Sequence, residues 1–255
     1  AKTPDGMTPL LLGEIWQDGS QFLTGDTFDS VMNYKLSDAI KNFVMGGKAE
    51  DADDTLTQLR QNYPEQALYD LMNIVDSHDT ARAIYTYGGG KDDVAQPTKA
   101  DFDYDLGKAR LKMAAVFELG YPGMPTIYYG DEAGQYGSKD PDCRRTYPWG
   151  HEDKDLQNFY KKAIAVRNDH KDVFARGSLK TLKAEGSIYA YERKSKDGKI
   201  GIVALNNGKA ATVTIPVTAK DGTVFKDQIS GKKFIAKNGG ISIVLSENQA
   251  LMLLD

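Results

Sequence analysis

The pattern of hydrophobic residues changes near residue 172, and this change divides the sequence into two regions. Before it, short apolar runs typical of buried strands alternate with amphipathic helical patterns. The apolar runs cover residues 9–16, 28–34, 71–76 and 124–132, and the helical patterns cover residues 35–47, 51–63, 65–72, 80–87 and 104–119. Because such alternation is typical of parallel βα units, residues 1–172 are predicted to form four of them.

After residue 172 the sequence contains short β-type runs and no helical pattern. These runs cover residues 187–194, 199–206, 210–217, 222–225, 232–236, 241–246 and 249–255. Several are separated by KDG, NNG or KNGG segments, whose glycines and asparagines readily adopt the positive φ that tight hairpin turns require. Residues 173–255 are therefore predicted to form an antiparallel β-sandwich, and the absence of a long linker predicts that it packs against the first region.

Charge and cysteine content exclude several classes of function. A net charge of −4 and a pI near 5.5 argue against a nucleic-acid partner, a membrane surface or a polyanionic substrate. No apolar run has the length of a membrane span. Cys143 is the single cysteine, so it cannot form an internal disulfide, and no Cys/His spacing suggests a zinc site.

Acidic residues follow three of the four predicted strands. Glu14 follows the PLLLG segment of the first run, Asp79 follows the third run beside His78, and Asp131 follows the TIYYG segment of the fourth. Ligands bind at the carboxyl ends of parallel strands, so these groups are candidates for one site. Apolar surroundings from Ile15 and Trp16 would favour the neutral form of Glu14, whereas His78 and Arg82 would keep Asp79 ionised. Two carboxyl groups with opposite protonation states suit glycoside hydrolysis.

Each of these residues also has a purely structural interpretation. Ser77 or Asp79 could cap the helix predicted to begin near Thr80. Glu14 could be an ordinary exposed acid at a strand end, and Asp131 could serve as a loop or capping acid, as could its neighbour Glu132. The segment Asp140–Arg145 could be a solvated turn held by its own ion pairs.

Five motifs follow one another along the chain and precede the predicted sandwich. In order, they are GEIW, FDSVMNY, NIVDSHDTAR, GMPTIYYGDE and DPDCRR. Their order resembles the carboxyl-terminal half of the α-amylase clan of glycoside hydrolases, and in particular its neopullulanase, cyclomaltodextrinase and amylopullulanase branch. The resemblance covers essentially the whole chain.

The resemblance implies a role for each candidate residue. Glu14 matches the general acid/base of the family, and Asp79 matches the aspartate that stabilises the transition state. By the same resemblance, His78 binds a hydroxyl of the reacting sugar, and Trp16 lies beside the acid on the acceptor side. Asp140 and Arg144 would hold a glucose unit further toward the non-reducing end.

The family fold is a (β/α)8 TIM barrel, so the α/β region is expected to be its second half, residues 1–172, followed by the sandwich, residues 173–255. The family's nucleophilic aspartate belongs to the fourth barrel strand, and no segment before Glu14 matches that motif. The chain is therefore expected to be a fragment of a retaining α-glucan hydrolase that is inactive alone. An amino-terminal half or a second copy of the chain would complete it.

Several alternatives remain open at the level of sequence. The chain could be a noncatalytic glucan-binding or assembly protein derived from a decayed barrel, or part of a transglycosylase of the same clan. Substrates implied by the resemblance are α-1,4 and also α-1,6 bonds of starch, pullulan or cyclodextrins. No cofactor or metal is predicted: calcium is common in the family, but the DGS segment at Asp18 is too short for a calcium loop. An extracellular and a cytoplasmic location are equally compatible with the sequence.

Overall fold

The computed structural model describes Gly6 and residues 9–255. Four short parallel strands follow one another in chain order. Strand β1 (Leu12–Gly13) pairs with β2 (Ser30–Val31), and β3 (Met72–Asn73) pairs with β4 (Met124–Pro125). A single parallel bridge between Met32 and Met72 joins the two pairs. The predicted order is present, but regular pairing covers only two residues of each apolar run.

Helices connect and cover these strands. They are α1 (Tyr34–Val44), α2 (Ala49–Asn62), α3 (Glu65–Asp70), α4 (Ala83–Tyr87), α5 (Tyr104–Gly120), α6 (Lys154–Asp169) and α7 (Lys171–Phe174). Side chains of Asn33, Asp103 and Asp153 cap the first turns of α1, α5 and α6 by accepting a backbone N–H three residues later. No described helix is both long and apolar enough to cross a membrane.

Helix α1 shows how the sequence specifies these elements. Leu36, Ile40 and Phe43 recur at helical spacing, and all three are fully buried in the main hydrophobic core. The helix ends before Gly46, whose φ of +102° is a backbone conformation that residues with a side chain rarely adopt. Tyr34, which was predicted to end the second strand, instead begins α1 because Asn33 accepts the N–H of Leu36.

The carboxyl-terminal region is an eight-stranded antiparallel sheet, consistent with a β-sandwich. The strands are β5 (Ser178–Glu185), β6 (Ile188–Lys194), β7 (Ile200–Asn206), β8 (Ala211–Pro216), β9 (Val224–Asp227), β10 (Lys233–Lys237), β11 (Gly240–Leu245) and β12 (Gln249–Leu254). Their order is β5-β6-β7-β12-β9-β10-β11-β8. An apolar core of its own includes Ile202 and Leu253 from the neighbouring strands β7 and β12, together with Ile241 from β11, three strands further along this order, so the sheet folds over itself.

Buried arginines join the two regions. Arg193 of β6 is fully buried and donates hydrogen bonds to the carbonyls of Gly120, Phe174 and Gly177 at 2.6–2.8 Å. Arg167 of α6 also donates to Phe174, at 2.8 Å. These bonds satisfy carbonyls at the end of α5 and around α7, so the sheet is held directly against the helices. The domain boundary predicted at 172/173 falls inside α7.

Three elements of the structure were not predicted from the sequence. Strand β5 has the mixed sequence SLKTLKAE, and its side chains are mostly exposed or half-buried, so no alternation marks it as a strand. Helices α6 and α7 follow the fourth strand and were not predicted from the sequence.

Candidate active site

All candidate residues lie in segments that follow the carboxyl ends of the parallel strands. Glu14 directly follows β1, and His78 and Asp79 lie in the loop between β3 and α4. Asp140 and Arg144 lie between β4 and α6, where a short 3₁₀ turn covers Asp142–Arg144. The loops of adjacent parallel strands meet at one edge, which is why residues distant in sequence come together here.

Glu14, His78 and Asp79 converge. One carboxylate oxygen of each acid and one imidazole nitrogen lie within 4.8 Å of one another. His78 Nε2 is 3.3 Å from Asp79 Oδ2. All three side chains are exposed, so the apolar surroundings expected for Glu14 are not present, and a ligand in solution has access to both carboxylates.

Tyr34 connects these groups and was not singled out from the sequence. Its hydroxyl donates to Glu14 Oε1 at 3.0 Å and is 3.3 Å from Ser77 Oγ, which accepts the N–H of Asp79. Its ring stacks on Trp16, with 3.9 Å between centroids and 12° between planes. Burial raises the pKa of Tyr34 to about 12, so the phenol stays a neutral donor near pH 7. The sequence signal that could have identified Tyr34 as a site residue is its position directly after a predicted strand.

Asp79 pairs with Arg144, and not with Arg82 as predicted. Arg144 Nη2 is 2.7 Å from Asp79 Oδ1, and Arg144 Nε also contacts Asp140 Oδ1. The guanidinium thus joins the two loops that carry the candidate residues. Arg82 is only three residues from Asp79, but its side chain is fully buried and pairs with Asp131 instead.

Arg82 instead fixes the loop that follows β4. Its Nε donates to the carbonyl of Cys143 at 2.7 Å, and its Nη1 donates to the carbonyl of Tyr129 at 2.7 Å. Nη1 also lies 3.2 Å from Asp131 Oδ1. The two side chains of this ion pair are 0% and 1% exposed. Asp131 is therefore buried beneath the site and is not one of its exposed acids.

A second buried acid explains how α4 begins. Asp76 Oδ2 accepts the N–H of Ala83 at 2.7 Å, so Asp76, rather than Ser77 or Asp79, satisfies the first turn of the helix. Burial raises the pKa of both Asp76 and Asp131, and the proximity of the two carboxyl groups raises that of Asp131 further. The capping interpretation of Asp79 is thus wrong.

The single cysteine also contributes to the site loops. Cys143 is buried, and its Sγ donates to the carbonyl of His78 at 3.1 Å. The residue thus contacts the 76–82 loop through its thiol and through its carbonyl, which Arg82 binds. The segment that contains Asp140 and Arg144 is consequently fixed relative to the segment that contains His78 and Asp79.

The chemistry available at the surface is that of a charged polar cleft with one aromatic wall. A pocket of about 300 Å³ is lined by residues that include Trp16, Tyr34, Asp79 and Lys139. Glu14, His78 and Asp79 together offer one nitrogen and two carboxylate oxygens, a set that could hold a cation. Arg144 already supplies a positive charge to Asp79, so the carboxylate does not depend on a metal for compensation.

Comparison with protein families gives one match. Residues 4–176 match the family model described as alpha amylase, catalytic domain.

Curated relatives extend the similarity to nearly the whole chain. The amylopullulanase of Thermoanaerobacter thermohydrosulfuricus is 39% identical over 268 residues, covering 96% of this chain and 18% of the relative. Neopullulanase 2 of Thermoactinomyces vulgaris is 36% identical over 250 residues, covering 96% of this chain and 40% of the relative. The chain therefore spans less than half the length of these relatives.

Solved structures share the fold. A cyclomaltodextrinase superposes with a TM-score of 0.81 at 33% identity, over 96% of this chain and 40% of that one. An α-amylase of Geobacillus thermoleovorans, solved in complex with acarbose, superposes with a TM-score of 0.79 over 99% of this chain and 54% of that one. Its 21% identity supports a common fold only.

Proposed function

Because the chain belongs to the alpha-amylase catalytic domain family, we propose that it supplies the general acid/base and a supporting aspartate to a site that hydrolyses α-glucans. The observation that carries the proposal is the convergence of Glu14 and Asp79 within 4.8 Å across sixty-five positions of sequence. Carboxyl groups this close together can act on the same sugar unit.

In the proposed mechanism, Glu14 protonates the oxygen of the leaving sugar and later activates water. Asp79 stabilises the oxocarbenium-like transition state electrostatically, and His78 binds a hydroxyl of the same sugar. Trp16, stacked on Tyr34, forms the acceptor side. Tyr34 donates to Glu14, which supports a fixed position for the acid before substrate arrives.

Asp140 and Arg144 are proposed to bind the next glucose toward the non-reducing end. Arg144 contacts both Asp140 and Asp79, so its guanidinium lies between the proposed reacting subsite and its neighbour. A sugar hydroxyl can accept from such a guanidinium without breaking the ion pairs, because a guanidinium has five N–H donors.

Retaining hydrolysis also needs a nucleophilic carboxylate about 5 Å from the acid. We propose that it comes from outside these 255 residues, from an amino-terminal half, and that the chain is inactive without it. A second copy of the chain, the other proposed partner, has the same residues and would cover the exposed strand edge without supplying this carboxylate. The four parallel strands would then form the second half of a (β/α)8 barrel, residues 1–172, followed by the sandwich, residues 173–255. In support, β1 pairs on one side only among the described residues, and Leu10 and Leu11 beside it are 51% and 53% exposed.

The proposed substrates are α-1,4 and α-1,6 bonds of starch, pullulan or cyclodextrins. This range is supported by the names of the similar proteins, amylopullulanase, neopullulanase and cyclomaltodextrinase.

The test is complementation. The chain is co-expressed with the segment that precedes the matching region of Thermoactinomyces vulgaris neopullulanase 2, and the release of reducing sugar from each glucan is measured. We expect turnover from the pair only, and a loss of about 100-fold or more for Glu14→Gln, because general acid catalysis is removed. Glu65→Gln, an exposed acid at the start of α3, is the matched control.

Full activity in the Glu14→Gln pair would refute the role of Glu14. A folded pair that binds maltoheptaose without turnover would favour the noncatalytic glucan-binding protein. Products longer than the substrate would identify a transglycosylase.

A further inference from the structure

An exposed aromatic pair lies beyond the proposed active site, in residues 145–153, which we call the aromatic loop. Trp149 is 78% exposed, more than any other large hydrophobic residue among those described. Its ring lies 4.5 Å from that of Tyr147, with 50° between the planes. An exposed tryptophan beside a second aromatic ring is an unusual apolar surface for a protein, and such surfaces often bind ligands.

The aromatic loop is held in place by hydrogen bonds. Tyr147 accepts a hydrogen bond from Gln157 Nε2 of α6 at 3.0 Å. Within the loop, Trp149 N–H donates to the carbonyl of Tyr147 and His151 N–H donates to that of Pro148, both at 2.9 Å. The tryptophan is therefore presented by a braced turn that buries little of its ring.

A pocket of about 520 Å³ adjoins the loop. Its lining combines Thr146, Pro148, His151 and Glu152 of the loop with Tyr136 and Lys99 from other segments. This volume is within the range of small-molecule sites. Tyr147 and Trp149 do not themselves line the pocket. A pyranose ring has an apolar C–H face and a rim of hydroxyls, so an exposed aromatic pair next to a pocket with polar side chains matches it in chemistry.

We propose that the aromatic loop is a second glucan-binding site, which holds a part of the α-glucan chain away from the scissile bond. The inference rests on the proposed function for its substrate class, but on different residues. Trp149 follows Arg144 by five positions, so their Cα atoms are at most about 18 Å apart. One oligosaccharide can therefore reach from the reacting subsite to the aromatic loop.

The chain contains two tryptophans, Trp16 and Trp149, and each reports one site. The Trp16→Phe variant leaves Trp149 as the only indole, and the Trp149→Phe variant leaves Trp16. Each variant is titrated with maltoheptaose, with cellohexaose as the control, and tryptophan emission is recorded. We expect maltoheptaose to change the emission of Trp149 with saturation, and cellohexaose to have a smaller effect.

Affinity is measured separately, by retardation of the intact chain in native gels that contain soluble starch. Trp149→Ala is expected to weaken binding about 3- to 10-fold, the value of one aromatic stacking contact. Ile235→Ala is the matched control, because Ile235 is 63% exposed but lies in β10 of the sheet.

The two indoles separate the possible outcomes. A response from Trp16 alone overturns the second site and leaves the proposed function standing. A response from Trp149 alone supports the second site, because the proposed reacting subsite is incomplete in the isolated chain. Silence of Trp149 refutes the second site, and the proposed function is then decided by the complementation test alone. A blue shift of Trp149 that depends on protein concentration and not on sugar would show that another copy of the chain covers the ring, and would also overturn the inference.

Discussion

The two regions of the molecule are ordered by different interactions. In the sheet region, β6 and β7 pair over seven residues, and side chains such as Ile202 and Ile241 fill an apolar interior. In the βα region each parallel pair covers two residues, and the long loops are fixed by buried side chains that donate to backbone carbonyls. Arg82 is the main example, because it binds two carbonyls and one carboxylate.

This difference shows how a site can have an irregular backbone and still be ordered. The hydrogen bonds of a β-ladder join backbone groups, so they hold the strands in place for many different side chains. They cannot, however, position an irregular loop around a ligand. Bonds from side chains to carbonyls satisfy the polar groups of irregular segments one by one. The geometry of such a region depends on a few buried charges, and its stability should depend on them too.

The largest expected effect tests that dependence. Arg82→Met removes the buried guanidinium and leaves the Asp131 carboxylate and two carbonyls without their partner. We expect the free energy of unfolding to fall by about 3–5 kcal/mol, measured by urea denaturation. Adding Asp131→Leu to this variant should restore part of the loss, because no unpaired acid remains. If Arg82→Met lowers the free energy of unfolding by less than about 1 kcal/mol, the βα region does not depend on its buried charges more than the sheet region does.

The next effect concerns pH. Burial raises the pKa of Glu118 in α5 from its ordinary value of 4.5 to about 8. The folded state therefore holds a proton that the unfolded state loses above pH 4.5, so this group lowers stability as pH rises from about 5 to 8. Glu118→Gln keeps an acceptor for the N–H of Thr126 and should flatten this dependence.

The corresponding gain at pH 8 is on the order of 4 kcal/mol, because a pKa raised from 4.5 to about 8 is worth about 1.36 kcal/mol per pH unit. It is measured as the difference in urea midpoint between the variant and the parent chain at pH 5 and pH 8. An equal midpoint difference at the two pH values would show that Glu118 does not titrate in this range.

The smallest effect belongs to the sheet region. Ile202→Val removes one methyl group from a fully buried side chain of β7 and leaves every ladder bond in place. We expect a loss of about 0.5–1.5 kcal/mol in the same urea assay. Maltoheptaose binding should not change. A change in binding would mean that packing in the sheet controls the site geometry. It would contradict the conclusion that the site loops are ordered by their own buried side chains.

The sequence predicted most where structure depends on local patterns. Helices α1 and α5 follow from apolar spacing, and the sheet strands from β6 onward follow from short β-type runs between turn residues. The order of the parallel strands also followed, because each apolar run precedes a helix. The meeting of Glu14 and Asp79 was predicted from their positions at strand ends together with the family resemblance.

Prediction failed where long-range contacts decide the outcome. Arg82 is near Asp79 in sequence, but its side chain donates to the carbonyl of Cys143 and to the carboxylate of Asp131 instead. These residues lie 61 and 49 positions away. The apolar pattern predicts Tyr34 as a strand residue, because it does not show that the side chain of Asn33 caps a helix that begins at Tyr34. Strand β5 is recognised by its pairing with β6, since its own sequence has no apolar alternation.

The buried thiol described above also has a practical use. Cys143 is the only cysteine, and burial raises the pKa of its thiol, so a maleimide can react only when the two site loops separate. The rate of alkylation of Cys143 therefore reports how often these loops separate in the native protein, without any engineered label. A glucan that bridges the loops should lower this rate.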